Sequence, residues 1–194
     1  MKVRYLAAIA ILAAPLSGCG YNRIQQLDEA ANKAKQNIVV QLQRRADLVP
    51  NLVSTVKGYA AHEEAVFTQV AAARGALTGA VQSGDAAQMA AANSQLTGAL
   101  GRLIAVAENY PNLKADQGFL RLQDELSGTE NRIAVSRTDY NDAVNQYNAY
   151  IRTFPQVITA KVTGAKAREY FDAPGGTNAP APTVDFSKPS APKP

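Results

Sequence analysis

From Tyr21 to Thr153 apolar residues recur at spacings of three and four, which buries one stripe of an α-helix and exposes the rest. A first helix is expected over about Tyr21 to Arg45, with Ile24, Leu27, Ala31, Ala34, Ile38 and Leu42 on one face. Pro50 should break or kink the chain, and Asp47 is placed to cap the helix that follows. That second helix, roughly Leu48 to Gly79, carries Leu52, Val56, Tyr59, Val66, Val70, Ala73 and Leu77, with Glu63 in the middle of the stripe. Ser83-Gly84-Asp85 reads as an end and a new cap. A third helix, about Asp85 to Glu108, offers Met89, Ala92, Leu96, Leu100, Leu103 and Ala107, and stops at Asn109-Tyr110-Pro111-Asn112.

The fourth helix is the most strongly patterned. Phe119, Leu126, Ile133, Tyr140, Tyr147 and Phe154 recur every seven residues, flanked by Leu122, Val144 and Ile151. Unbroken from Asp116 to Thr153 it would span ~57 Å, so it either overhangs its partners or bends, with Ser127-Gly128 as the place. After Pro155 a short segment with Val157, Ile158, Val162, Tyr170 and Phe171 is expected to fold back on the bundle. Four amphipathic helices joined by short turns bury their stripes only against one another. The fold class is therefore all-α, an up-and-down bundle of four main long helices over residues 19–171. From residue 172 to 194 the composition turns to Pro, Gly, Ala, Thr and Ser, a tail expected to be disordered. No internal repeat is present.

The N-terminus has its own plan. Lys2 and Arg4 precede an apolar block from Tyr5 to Leu16, and small residues follow, as in a signal peptide over residues 1–18. At roughly twelve residues the block falls short of the ~20 that span a bilayer as a helix. Leu16-Ser17-Gly18-Cys19 resembles a bacterial lipobox, in which the cysteine becomes the first mature residue and carries acyl chains. Several chains anchor stably, because each buried methylene contributes ~0.8 kcal/mol. In lipoproteins of that kind an Asp after the cysteine favours the inner membrane. Gly20 stands there, which favours the outer membrane facing the periplasm. The first helix starts almost at once, so the domain should sit close to the bilayer.

Charge and composition mainly exclude. The formal charge of +4 falls to +2 when Lys2 and Arg4 are removed from 20 basic residues against 16 acidic ones, too mild for nucleic acid. Cys19 is the one cysteine, which rules out an intramolecular disulfide and a thiolate metal site. Glu130 and Arg137 lie one heptad apart beside the apolar stripe of the fourth helix, and Glu63 and Arg74 lie likewise on the second. A buried, paired network that fixes helix register is the expected role of these four, since buried charges persist only when paired. The chemical alternative makes Glu63 and Glu130 the acid and base of a cell-wall hydrolase. A di-metal carboxylate site would add Glu-x-x-His motifs, and the one histidine, His62, lies in none. His62 reads as a surface residue, no nucleophile elbow or phosphate loop accompanies it, and no cofactor or small-molecule substrate is expected.

A longer run of residues carries a resemblance. Arg44-Arg45-Ala46-Asp47-Leu48-Val49-Pro50-Asn51-Leu52-Val53 is followed by Val56-Lys57-Gly58-Tyr59-Ala60, His62-Glu63 and Ala73-Arg74. Then come Tyr110-Pro111-Asn112-Leu113-Lys114-Ala115, Thr129-Glu130-Asn131-Arg132-Ile133-Ala134, Arg137, Tyr140-Asn141, Tyr147-Asn148, Phe154-Pro155 and Tyr170-Phe171. Together they resemble the LemA family from Tyr21 to about Phe171. The resemblance implies a bundle of four main helices and no established enzymatic activity. It also implies bacterial membrane association, commonly through an N-terminal transmembrane helix, with one branch that serves in building magnetosome membranes. The lipobox departs from that helix. The expected function is a non-catalytic, lipid-anchored envelope scaffold or adaptor that presents its bundle to a protein partner. Shaping or organising membrane is the alternative.

Overall fold

The computed structural model describes residues 2–171, with side chains from Gly20 onward, so the expected tail and the side chain of Cys19 lie outside the described residues. The chain is an all-α bundle with no strand among those residues. Its helices are α1 (Lys2–Lys57), α2 (Glu64–Ser83), α3 (Ala86–Ala107), α4 (Pro111–Lys114), α5 (Gln117–Tyr150) and α6 (Gln156–Thr163).

Two long helices form the frame. From Gly20 to Lys57, α1 runs ~57 Å alongside α5, and the shorter hairpin of α2 and α3 packs on α1. The heptad stripe of α5 meets a matching one on α1: Ile24, Ala31, Ile38, Arg45 and Leu52 also stand seven apart, and all five are buried. Phe119, Leu126, Ile133, Tyr140 and Tyr147 are buried opposite them. Side chains repeating at 3.5 residues stay on the seam between two helices, so neither helix needs a bend. Accordingly α5 is unbroken through Ser127-Gly128.

Pro50 does not end a helix. It sits on the exposed side of α1, which continues to Lys57, and Asp47 is an exposed interior residue of that helix, not its cap. The break comes at Gly58 to Glu63, where Glu63 takes the cap position of α2 and Tyr59 turns outward. Further on, the turns follow their chemistry. Gly84 adopts φ 69° to close α2, and Asp85 Oδ1 accepts from the Gln88 amide at 2.9 Å to open α3. Asp116 Oδ1 does the same for α5 from the Phe119 amide at 2.8 Å. All six apolar residues named for the third helix are buried in α3.

At the other end, Ile24 and Leu27 of α1, Tyr147 of α5, Ile151 just past the end of α5, and Ala160 of α6 form a second, smaller core. Here α6 packs on α1 so closely that a Cβ on Gly20 would lie 3.5 Å from Thr159 Oγ1. Phe154, the last of the heptad series, is 81% exposed, because the chain has already left α5 and turned. Ile158 and Val162, expected to cover the bundle, face outward as well.

Candidate functional site

The polar interior is built around Arg45. Heptad position places its guanidinium on the buried seam, where it forms an ion pair with Glu130 of α5 and donates from Nη1 to Asn93 Oδ1 of α3 at 2.6 Å. Burial pulls the Arg45 pKa down from its ordinary value, and the Glu130 carboxylate pulls it back up. Nε of Arg45 and Oε1 of Gln41 are buried without a hydrogen-bonding partner. The Glu130 side chain is 42% exposed although Oε2, the oxygen that meets Arg45, is itself buried, so the rest of this side chain reaches water while Arg45 does not.

At the next residue of α1, the backbone carbonyl of Ala46 accepts from Arg74 Nε of α2 at 2.8 Å. Ala46 is four residues before Pro50, and a proline has no N–H to give to that carbonyl. Arg74 thus supplies the donor that the α1 ladder lacks. Arg137 lies 5.4 Å from the centre of the Phe171 ring, a cation over an aromatic face.

The four residues expected to form one network are therefore distributed. No hydrogen bond or ion pair joins any two of Glu63, Arg74, Glu130 and Arg137 among the described residues. Glu130 belongs to Arg45, which precedes Lys57 by ~18 Å of helix, whereas Glu63 lies beyond Lys57 in the turn to α2. Glycosidase carboxylates stand within ~10 Å of each other. The acid and base pair is not assembled. His62 is exposed, and no group of three His, Cys, Asp or Glu side chains converges among the described residues.

The base of the bundle holds a second arrangement. After α6 the chain returns as an extended strap, residues 165–171, along α1 and α5. Asn148 Nδ2 donates to the Arg168 carbonyl at 2.9 Å, and its Oδ1 accepts from the Arg168 amide at 2.8 Å. Asn141 makes the same exchange with Phe171, at 3.3 and 2.8 Å. Seven residues of helix rise ~10.5 Å and three of extended chain ~10 Å, so two side chains one heptad apart reach every third residue of the strap. Tyr140 Oη donates to the Glu169 carbonyl at 2.9 Å between them. The Arg168 side chain crosses to α1, with Nε on Asp28 Oδ1 and Nη2 on Asn32 Oδ1, both at 2.8 Å. Hydrogen bonding to Asp28 raises the Arg168 pKa, and burial raises that of Tyr147, whose ring lies 5.7 Å from the guanidinium. A solvent-open hollow of about 420 Å³ remains between Ile24, Asp28, Tyr147 and the strap.

Arg45, Asn93, Asp28 and Arg168 were not among the residues singled out by pattern. Arg45 had a readable signal, as the one charge in a heptad otherwise apolar from Ile24 to Leu52. Asn141 and Asn148 directly follow the heptad tyrosines, but only the strap reveals what they hold.

Such a molecule is a helical bundle with a buried arginine seam and a strapped base. It belongs to the LemA family, which its residues 34–186 match. Two magnetosome proteins of Paramagnetospirillum magneticum, MamQ 1 and MamQ 2, are each 30% identical to it, over 91% of this chain and 73% of theirs. Magnetosome protein MamQ of Magnetospirillum gryphiswaldense is 29% identical, over 80% of this chain and 66% of its own. Among residues 20–171 no helix is long and apolar enough to cross a membrane.

Proposed function

We propose that this LemA-family protein is a non-catalytic scaffold of the cell envelope, held by acyl chains on Cys19 to the periplasmic face of the outer membrane, where its bundle engages another envelope protein. The observation that carries this reading is the junction at Gly20, buried against α6 one residue after Cys19. A domain joined to its attachment point without a linker holds its surface at a set height and angle. The relatives named as magnetosome proteins, together with the magnetosome-membrane branch that the LemA resemblance implies, agree with work at a membrane. Envelope fractionation tests the address: Cys19→Ser should move the chain from the membrane to the soluble periplasmic fraction. Retention of that variant in the membrane would remove the acyl anchor as the explanation. Crosslinking in intact cells with mass spectrometry tests the scaffold, and recovery of bulk envelope proteins alone would sink it.

The magnetosome names favour a second reading, in which the protein organises membrane directly. Vesicles densely covered with the full chain should then deform. Unchanged vesicles would leave the scaffold reading.

A further inference from the structure

Three large apolar side chains at the base of the bundle, Ile158 and Val162 one turn apart on α6 and Phe154 just before its cap, are left uncovered by the described residues. Phe154, Ile158 and Val162 are 81%, 56% and 82% exposed, while the opposite side of α6 buries Ala160 against α1 and α5. Large exposed apolar groups that cluster, as distinct from single ones, mark a surface with an occupant. The segment of chain that carries these side chains bears charge of one sign. No acidic residue occurs between Asp142 and Glu169, an interval that contains Arg152, Lys161, Lys166 and Arg168. Arg168 is taken by Asp28, which leaves Arg152, Lys161 and Lys166 exposed. Position settles what such a face meets. It is fixed beside Gly20, immediately after the apolar N-terminal block and Cys19.

We propose that Phe154 and α6 form an interfacial contact with the bilayer, with Phe154, Ile158 and Val162 at the acyl boundary and Arg152, Lys161 and Lys166 among anionic phospholipid headgroups. Apolar residues on one face and cations around them are what a helix lying in the interface requires, and anionic lipid attracts each nearby cation. A protein or second copy docking here would have to bring acidic groups to an apolar stripe already held against the membrane side. The inference rests on the proposed membrane attachment and adds a second point of contact to it.

The sequence contains no tryptophan, so Phe154→Trp installs a single reporter, and Val135→Trp, at a position 62% exposed in the middle of α5, serves as the control. Each full-length chain is reconstituted into vesicles of phosphatidylethanolamine and phosphatidylglycerol with brominated acyl chains. Phe154→Trp should emit further to the blue and lose most of its emission to bromine, while Val135→Trp keeps the spectrum of a residue in water. Replacing phosphatidylglycerol with phosphatidylcholine, or adding Lys161→Glu and Lys166→Glu, should weaken the quenching. Unquenched Phe154→Trp on a chain that floats with the vesicles overturns the inference and leaves membrane attachment standing. A blue shift without quenching means that protein covers the face, and also overturns it. Quenching indifferent to both charge changes overturns headgroup recognition. A chain that does not float at all removes the membrane reading together with the inference.

Discussion

Arg74 Nε donates to the carbonyl of Ala46 at 2.8 Å, the carbonyl that Pro50 leaves without its helical donor. A side chain of α2 thereby repairs the backbone of α1. Arg74→Ala should cost ~1–3 kcal/mol, the penalty of an unsatisfied buried acceptor. Pro50→Ala returns the missing amide, so in that background Arg74→Ala should cost markedly less. Urea unfolding of the four chains gives the coupling directly, and strictly additive costs would refute the repair.

The ion pair of Arg45 with Glu130 is asymmetric, one side buried and the other in contact with water. Removing the carboxylate strands a buried cation, whereas removing the guanidinium leaves a carboxylate whose buried Oε2 sits on a half-exposed side chain that can turn to water. Glu130→Ala should therefore destabilise by ~2–3 kcal/mol and Arg45→Met by less. Equal losses in thermal or urea unfolding would contradict this.

Asn148 is 3% exposed and exchanges two hydrogen bonds with Arg168. Asn148→Ala should destabilise by ~2 kcal/mol, because both strap groups lose their partners at once. Amide exchange at Arg168 and Phe171 should rise well above that of α2 and α3. A uniform increase across the chain would mean that the strap opens only with the whole fold.

Asp116 is a pH-dependent element. The Phe119 amide, and after it the Tyr59 hydroxyl, hold its carboxyl below the ordinary carboxylate value. A pKa lowered in the folded state adds stability that is complete above the unfolded value and is lost as pH falls through the folded one. Thermal stability should thus decline below about pH 4. Asp116→Asn keeps a capping acceptor and removes this titration, so the acid limb of its melting profile should be shallower. Parallel acid limbs would assign the loss to other carboxylates.

Much of the bundle was legible because heptads state burial without reference to the partner. All members of the α5 series but Phe154 occupy the seam, and the exception follows from the end of α5 at Tyr150, which periodicity alone does not mark. Pro50 misled for a physical reason. Its helical penalty is local, whereas its compensation, Arg74, lies 24 residues further along the chain on another helix. Glu63 misled in the reverse sense: its spacing fitted a helix that stops at Gly58. The polar groups were partly legible. The residue types and approximate faces of Glu130 and Arg137 could be read, but their partners depend on which helices adjoin.

The direct junction at Gly20 makes the bundle a lever. With α1 unbroken from there to Lys57, a tilt of about 5° at the base would move the far turn by ~5 Å over a helix ~57 Å long. On the proposed anchor at Cys19, a change of footing at one end would therefore reach the far turn of α1 without a hinge to absorb it.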